Sequence, residues 1–265
     1  MYSVEPAIIR SVSFCVMLFV MFGLECATPF RVPVESKFRR WVKNLSLAAG
    51  NTAVLSISVS AYLLWLVQYV NINKIGILSD FGVGGTWNIL VTFVLFDFLT
   101  YIWHMFNHTL PFLWRFHKMH HTDLDLDVST ASRFHIGELL FSAVFKGALI
   151  YLFGPNLMAF ILFESAVVTA AQFHHSNIRI PSKAEGCVWY FFVVPSMHRI
   201  HHSIIGREVN SNFSTIFSFW DRIAKTFRND VVQERIIIGL EQYRNSTELT
   251  MPKLLIMPFE KTVER

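Results

Sequence analysis

From Asn44 to Asn73 the chain carries no charged residue. At about 1.5 Å of rise per residue, a helix of that length crosses a hydrocarbon core of about 30 Å with tilt to spare. Inside hydrocarbon the backbone must satisfy its own hydrogen bonds, so such a stretch folds as a helix or belongs to a closed barrel. Val83 to Trp103 reads as another span, with Asp97 its single acid. Ser11 to Leu24 is short and mostly apolar, between Arg10 and Glu25. One basic residue precedes it and no clear cleavage site follows, so it reads as a membrane helix rather than a signal-peptide core. Leu139 to Gln172 is apolar but broken at Gly154-Pro155. Each half reaches only about 22–25 Å, so a helical hairpin that enters and leaves on the same side is expected. Lys146 and Glu164 are equally far from Pro155 and either meet across the hairpin or separately snorkel or face the protein interior. A chain with 53% hydrophobic residues, 26 Phe and 16% charged residues agrees with a membrane protein.

The expected fold is therefore an all-α integral membrane bundle of about four membrane segments: 8–28, 45–72, 84–104 and a hairpin at 139–172. Residues 104–138 and 173–230 form a helical cap, and 1–265 is a single unit. The last 35 or so residues pack on the cap or trail off. Between Arg31 and Lys43 lie Arg31, Lys37, Arg39, Arg40 and Lys43 against one acid, Glu35. The positive-inside rule puts this loop in the cytoplasm, and counting spans from it brings the cap to the same side. The net charge of +4 is modest and follows no nucleic-acid pattern. Cys15, Cys26 and Cys187 form no framework, so no disulfide is expected.

All 11 histidines fall between positions 104 and 202. They read His104-x3-His108, His117-x2-His120-His121, His135, His174-His175 and His198-x2-His201-His202. Neutral imidazole is the commonest metal ligand. This many exceeds what one four-coordinate zinc can use, and suits two metals side by side. With no comparable cysteine cluster, iron or a similar ion is favoured over structural zinc. Asp97, Tyr101, His104 and His108 share one helix face, and so do the members of each HxxHH triplet. His135 alone has the ordinary look of a hydrogen-bonded structural histidine. His174 and His175 point about 100° apart on a helix, so His175 is the better ligand and His174 a ligand or its support. Asp97, Asp123, Asp127, Arg133 and Asn212 are candidates to support the ligands, with Asp221 and Arg222 nearby. Asp123, Asp125 and Asp127 lack the glycine and closing glutamate of an EF-hand loop, which argues against calcium.

The segments HMFNHTLPFLWRFHKMHHTDLDLDVSTASRFH, QFHHSNIRIP and MHRIHHSIIGREVNSNFSTIFSFWDRIAKTF closely resemble the fatty acid hydroxylase/sterol desaturase superfamily of integral-membrane di-iron enzymes. The resemblance covers residues 94 to 228, and the RFH and HHSNIR segments look most like its bacterial sterol desaturase-type members. It implies a cytoplasm-facing site for two iron ions, dioxygen as co-substrate and a lipid-like substrate. By box matching, His104, His108, His117, His120, His121, His198, His201 and His202 carry over as ligands, while His135 and His175 match less uniformly placed family histidines. Relatives often show Asn-Tyr-Gly where this chain has Asn212-Phe213-Ser214, and Gln where it has His174.

The resemblance implies hydrogen abstraction from an unactivated C–H bond of a sterol, fatty acyl or related lipid, ending in hydroxylation or desaturation. No dinucleotide-binding glycine motif or haem domain is present in the sequence, so electrons must come from a separate ferredoxin, rubredoxin or cytochrome b5-type donor with its reductase. A membrane metal-binding or transport protein is the rival reading; it would place its ligands near the bilayer midplane. A bis-haem cytochrome would need four well-separated axial histidines rather than doublets.

Overall fold

The computed structural model describes residues 6–260. Ten helices organise it: α1 (Pro6–Ala27), α2 (Lys37–Leu55), α3 (Ala61–Ile72), α4 (Ile77–Asp80), α5 (Gly85–Thr109), α6 (Pro111–His121), α7 (Ile136–Phe153), α8 (Leu157–His175), α9 (Ser182–Val188) and α10 (Pro195–His201). Three short helices follow among the described residues, Gly206–Val209, Phe219–Ile223 and Met251–Ile256, and the β structure there is confined to isolated bridges.

Among the described residues four single helices are long and apolar enough to cross a membrane: Ile8–Ala27, Gly85–Thr109, Ile136–Phe153 and Leu157–His175. Each arm of the expected hairpin thus reaches spanning length by itself, because both helices run past the apolar limits into Ile136 and His175. The hairpin turns where Gly154 takes a left-handed conformation (φ 65°, ψ 52°) and Asn156 caps α8 by accepting from Ala159 N at 2.7 Å. A side chain at Gly154 would collide with the backbone of Ile75. Asn71 donates to the Pro155 carbonyl and Asn88 accepts from Asn156 N, at 2.7 and 2.8 Å. These amides satisfy the turn's backbone groups, which hydrocarbon could not do. Lys146 and Glu164 do meet across the hairpin, at 2.7 Å, with Arg10 of α1 4.0 Å away.

The stretch expected as one span at 45–72 is bent by 59° between α2 and α3, about a π-helical turn at Ser56–Ser60, and together the pair is still long and apolar enough for one broken span. The reason is a polar stripe within the apolar count. Arg40, Asn44, Leu47 and Asn51 are the buried face of α2, spaced for one side of a helix. That face leans on the cap, where Asn51 donates to the Phe134 carbonyl at 2.8 Å. A π turn is a recognised site of helix bending. Only α3 joins the bundle core, contributing Leu63, Leu66, Val67 and Val70 against Phe96, Leu149, Ile150, Phe160 and Phe163. Phe96 and Phe163 pack edge to face at 5.7 Å.

Helix α1 lies along α8, and Gln172 donates to the Phe14 carbonyl at 3.2 Å. At its end, buried Glu25 accepts from Val128 N and Asn177 N, which ties α1 to both parts of the cap. The C-terminal residues pack on the cap as well: Leu249, Leu254 and Met257 close over Met119, Leu47 and Leu124.

Candidate metal centre

The helices deliver the histidines from their ends. His104 and His108 occupy the last turns of α5, and His174 and His175 end α8. Pro111 and Pro195 stand at the first turns of α6 and α10, where the missing N–H costs nothing, and the HxxHH triplets follow within each short helix or just beyond it. Nine histidines come together in two groups: His104, His108, His117, His121 and His201, and then His120, His175, His198 and His202. In each group one potential ligand nitrogen per residue lies within 4.8 Å of all the others.

Each triplet is divided between the groups. Residues four apart on a helix nearly eclipse, so His117 and His121 face one group and His198 and His202 the other. The residue three on from the first of each triplet, His120 or His201, crosses to the opposite group. Rings of the two groups touch, with His121 stacked on His202 at a centroid distance of 4.2 Å.

Hydrogen bonds orient the rings. His104 Nδ1 bonds to the Phe213 carbonyl at 2.7 Å, His175 Nδ1 to Ala171 O at 2.7 Å and His201 Nδ1 to Ser211 O at 2.8 Å. A carbonyl only accepts, so Nδ1 carries the proton in each and Nε2 keeps a bare lone pair. His117 Nδ1 bonds to Glu138 Oε1 at 2.7 Å. His117 Nε2 and His201 Nε2 are then buried with no hydrogen-bond partner. In the other group the Nε2 atoms approach one another: His120 to His175 at 3.0 Å, His175 to His198 at 2.9 Å and His198 to His202 at 3.1 Å.

Burial, followed by neighbouring imidazoles, pushes His120, His121, His198, His201 and His202 well below the ordinary histidine range. Neutral rings with converging lone pairs are a donor set for a cation. The spacing fits as well: two nitrogens at right angles about an ion, each at about 2.1 Å, stand about 3.0 Å apart. A group of five nitrogen donors also exceeds the tetrahedral shell of structural zinc.

His135 and His174 lie outside both groups. His135 caps α7, accepting from Gly137 N at 2.9 Å and contacting the Leu255 carbonyl through Nε2 at 3.1 Å. His174 packs its ring 4.0 Å from that of His198.

The hydrogen bonds of the supporting candidates go to the segments around the histidines. Asp97 accepts from Ile216 N, Phe217 N and Trp220 Nε1 at 3.1, 3.0 and 2.9 Å. It thereby fixes the loop whose carbonyls at Ser211 and Phe213 orient His201 and His104. Asp221 closes the same loop through Phe213 N and Ser214 N, and burial raises its pKa. Asn212 sits at φ 53°, a left-handed position that asparagine tolerates, and its amide bonds Met197 O and Arg228 O. Asp123 is paired bidentately with Arg40, which also reaches Asp127. The adjacent guanidinium groups of Arg40 and Arg133 hold Asp123 well below the usual carboxylate range. Arg133 donates to Met119 O, Asn44 Oδ1 and Thr122 Oγ1, which braces the end of α6 beside His120 and His121. Arg222 instead grips Trp189 O and Ser218 Oγ.

Sequence reading missed Glu138, Arg40, Asn44 and Phe134. A carboxylate at the mouth of an apolar stretch, one turn from His135, was the available signal for Glu138. Arg40 stands within the basic segment 31–43, whose charges read together as a cytoplasmic loop. Phe134, stacked on His120 at 4.7 Å, lies in the RFH segment that carries the resemblance, its one signal besides being aromatic.

The fatty acid hydroxylase family profile matches residues 89–226. The ornithine lipid hydroxylase of Rhizobium tropici is 29% identical over 152 residues, covering 57% of this chain and 45% of that protein. The cholesterol 25-hydroxylase of Homo sapiens is 30% identical over 152 residues, 56% of this chain and 54% of its own. The alkylglycerol monooxygenase of Danio rerio is 26% identical over 173 residues, 65% of this chain and 37% of its own. The chain spans about half or less of the length of these curated relatives. No solved structure matches it.

Proposed function

The chain belongs to the fatty acid hydroxylase family, and from that premise we propose that it is a membrane-bound di-iron oxygenase. It hydroxylates, or by loss of a second hydrogen desaturates, an unactivated C–H bond of a sterol, fatty acyl or related lipid. The observation that carries this reading is the pair of buried histidine groups with converging neutral nitrogens. The names of the relatives, all lipid hydroxylases or monooxygenases, favour hydroxylation.

His104, His108, His117, His121 and His201 would hold one iron, and His120, His175, His198 and His202 the other. Bound there, the two ions would supply the activation of dioxygen. The protein's part is positioning and exclusion of water. The Nδ1 contacts fix the tautomers that leave Nε2 available. Phe213 packs against His104, His108 and His201, and Phe134 covers His120, so both groups are walled by aromatic rings. An apolar groove of about 410 Å³ along α5, between Trp87 and Trp220, gives a hydrocarbon chain a surface beside the loop that orients His104 and His201.

The balance for hydroxylation is R–H + O2 + 2 electrons + 2 protons giving R–OH + H2O. The electrons come from a separate ferredoxin, rubredoxin or cytochrome b5-type carrier. The basic segment 31–43 supports a cytoplasmic cap. Metal transport is disfavoured by position: the histidines stand at helix ends in the cap, whereas a transport site lies near mid-membrane.

The test is to express the protein in iron-replete cells, count metals per chain, and compare total lipids by mass spectrometry with a His120→Ala/His201→Ala variant. About two irons per chain and a lipid that gains one oxygen or loses two hydrogens only with the intact protein are expected. Less than one tightly bound metal in a folded chain would sink the reading and favour transport.

A further inference from the structure

Immediately after the last histidine triplet, the cap opens into a cleft of about 290 Å³ on its outer surface. Its floor is apolar, with Ile205, Val232 and Ile237 each about half exposed (46%, 55% and 51%). Three arginines line it: Arg207, Arg228 and Arg235. Arg228 is paired with Asp230 at 3.2 Å, while among the described residues Arg207 and Arg235 have no carboxylate within ion-pair distance. Two acids also line the cleft: Glu208, which is buried, and Asp230, the exposed partner of Arg228.

The cleft stands close to the second histidine group. Ser203, which lines it, directly follows His202. Gly239 N bonds the His202 carbonyl and Ile204 N bonds the Ile237 carbonyl, both at 3.0 Å. The cleft wall and a histidine of that group are therefore consecutive residues in one hydrogen-bonded ladder.

An apolar centre with an arginine rim is the chemistry of a transient protein interface, where charge steers the encounter and apolar contact fixes it. The proposed oxygenation consumes two electrons, delivered in the proposed scheme by a separate carrier protein. We infer that this cleft is the docking site for an acidic one-electron carrier protein, whose carboxylates meet Arg207 and Arg235 over the Ile205–Val232–Ile237 floor. A concave shape fits a protein knob better than a lipid surface. The inference rests on the oxygenase reading and adds the place where its electrons enter.

The test uses the full-length, iron-loaded protein in nanodiscs of neutral phosphatidylcholine and a reduced acidic [2Fe–2S] ferredoxin as the probe. Reduction of the iron centre is followed by stopped flow for the wild type, Arg207→Glu/Arg235→Glu and the milder Arg207→Gln/Arg235→Gln. Dithionite serves as a reductant that needs no docking. At low salt the charge reversal is expected to slow ferredoxin-driven reduction by about tenfold or more and to flatten its salt dependence. Dithionite reduction and iron content should stay unchanged, and a ferredoxin with surface acids changed to lysine should recover speed with the reversed variant. An unchanged ferredoxin rate would overturn the assignment, and equal slowing with dithionite would make the arginines structural. An effect confined to anionic-lipid nanodiscs would assign them to headgroups. A wild-type centre that neither reductant reduces would instead bring down the oxygenase reading itself, and the docking site with it.

Discussion

Among the described residues Glu138 is the carboxylate hydrogen-bonded to a histidine of either group; the other orienting contacts come from neutral backbone carbonyls. A carboxylate behind a ligating imidazole raises its basicity as well as fixing its orientation. The five-histidine group should therefore bind its ion more tightly than its neutral donors alone would. Glu138→Gln retains an acceptor without the charge, and Glu138→Leu retains neither. Metal affinity, measured by competition with a chelator, is expected to fall about 10–100-fold in the leucine variant and less in the glutamine variant. Equal affinity in wild type and Glu138→Leu would show that the contact does not tune the site. Glu138 was hard to read from sequence because its partner, His117, lies in another helix. Helical spacing reports which residues share a face and says nothing about what the face meets.

At the scale of elements, the buried guanidinium of Arg40 makes more side-chain hydrogen bonds between α2 and the cap than Asn44 or Asn51 does. Arg40 is fully buried and binds Asp123, Asp127, Thr130 and the Asp125 carbonyl. Replacing it with methionine fills part of the space but removes the cation paired with buried Asp127 and leaves buried Asp123 only the neighbouring guanidinium of Arg133. A cost of roughly 3–5 kcal/mol is expected from breaking one side of such a pair. Arg40→Lys should recover only part, since an ammonium cannot match the bidentate geometry. Urea unfolding in micelles measures both, and Arg40→Met within about 0.5 kcal/mol of wild type would mean the network does not brace the cap. The spans and the hairpin were legible in the sequence because hydropathy and the Gly154-Pro155 break act locally. The bend of α2–α3 was not. Asn44 and Asn51 are uncharged and pass as apolar-compatible, and only the cap they pack against reveals them as an interface.

For the whole molecule, five cap histidines carry a linkage to pH. The folded pKa values of His120, His121, His198, His201 and His202 lie below the ordinary 6.5. An unfolded chain protonates these rings on falling below about pH 6.5, while the folded chain does not. Stability is thus fully present above that pH and lost as pH falls toward the folded values. Metal-free protein should melt at steadily lower temperature as pH is taken from about 7.5 to 5.5, and bound metal, which also needs neutral rings, should be released over the same acid range. A flat melting profile across that window would contradict the burial of neutral imidazoles. The all-helical architecture and the gathering of histidines were legible because clustering in sequence preceded clustering in space. The partition into five and four was not, since it depends on how α5, α6, α8 and α10 converge.

The splitting of each HxxHH triplet between the groups has a consequence for assembly. Helices α6 and α10 each reach toward both positions, so an ion that settles in one position fixes the two helices that complete the other. A singly loaded chain would already have met most of the ordering cost of the second ion and should be scarce beside empty and full chains. The interleaving turns two binding events into something close to a single decision, taken when the first ion arrives.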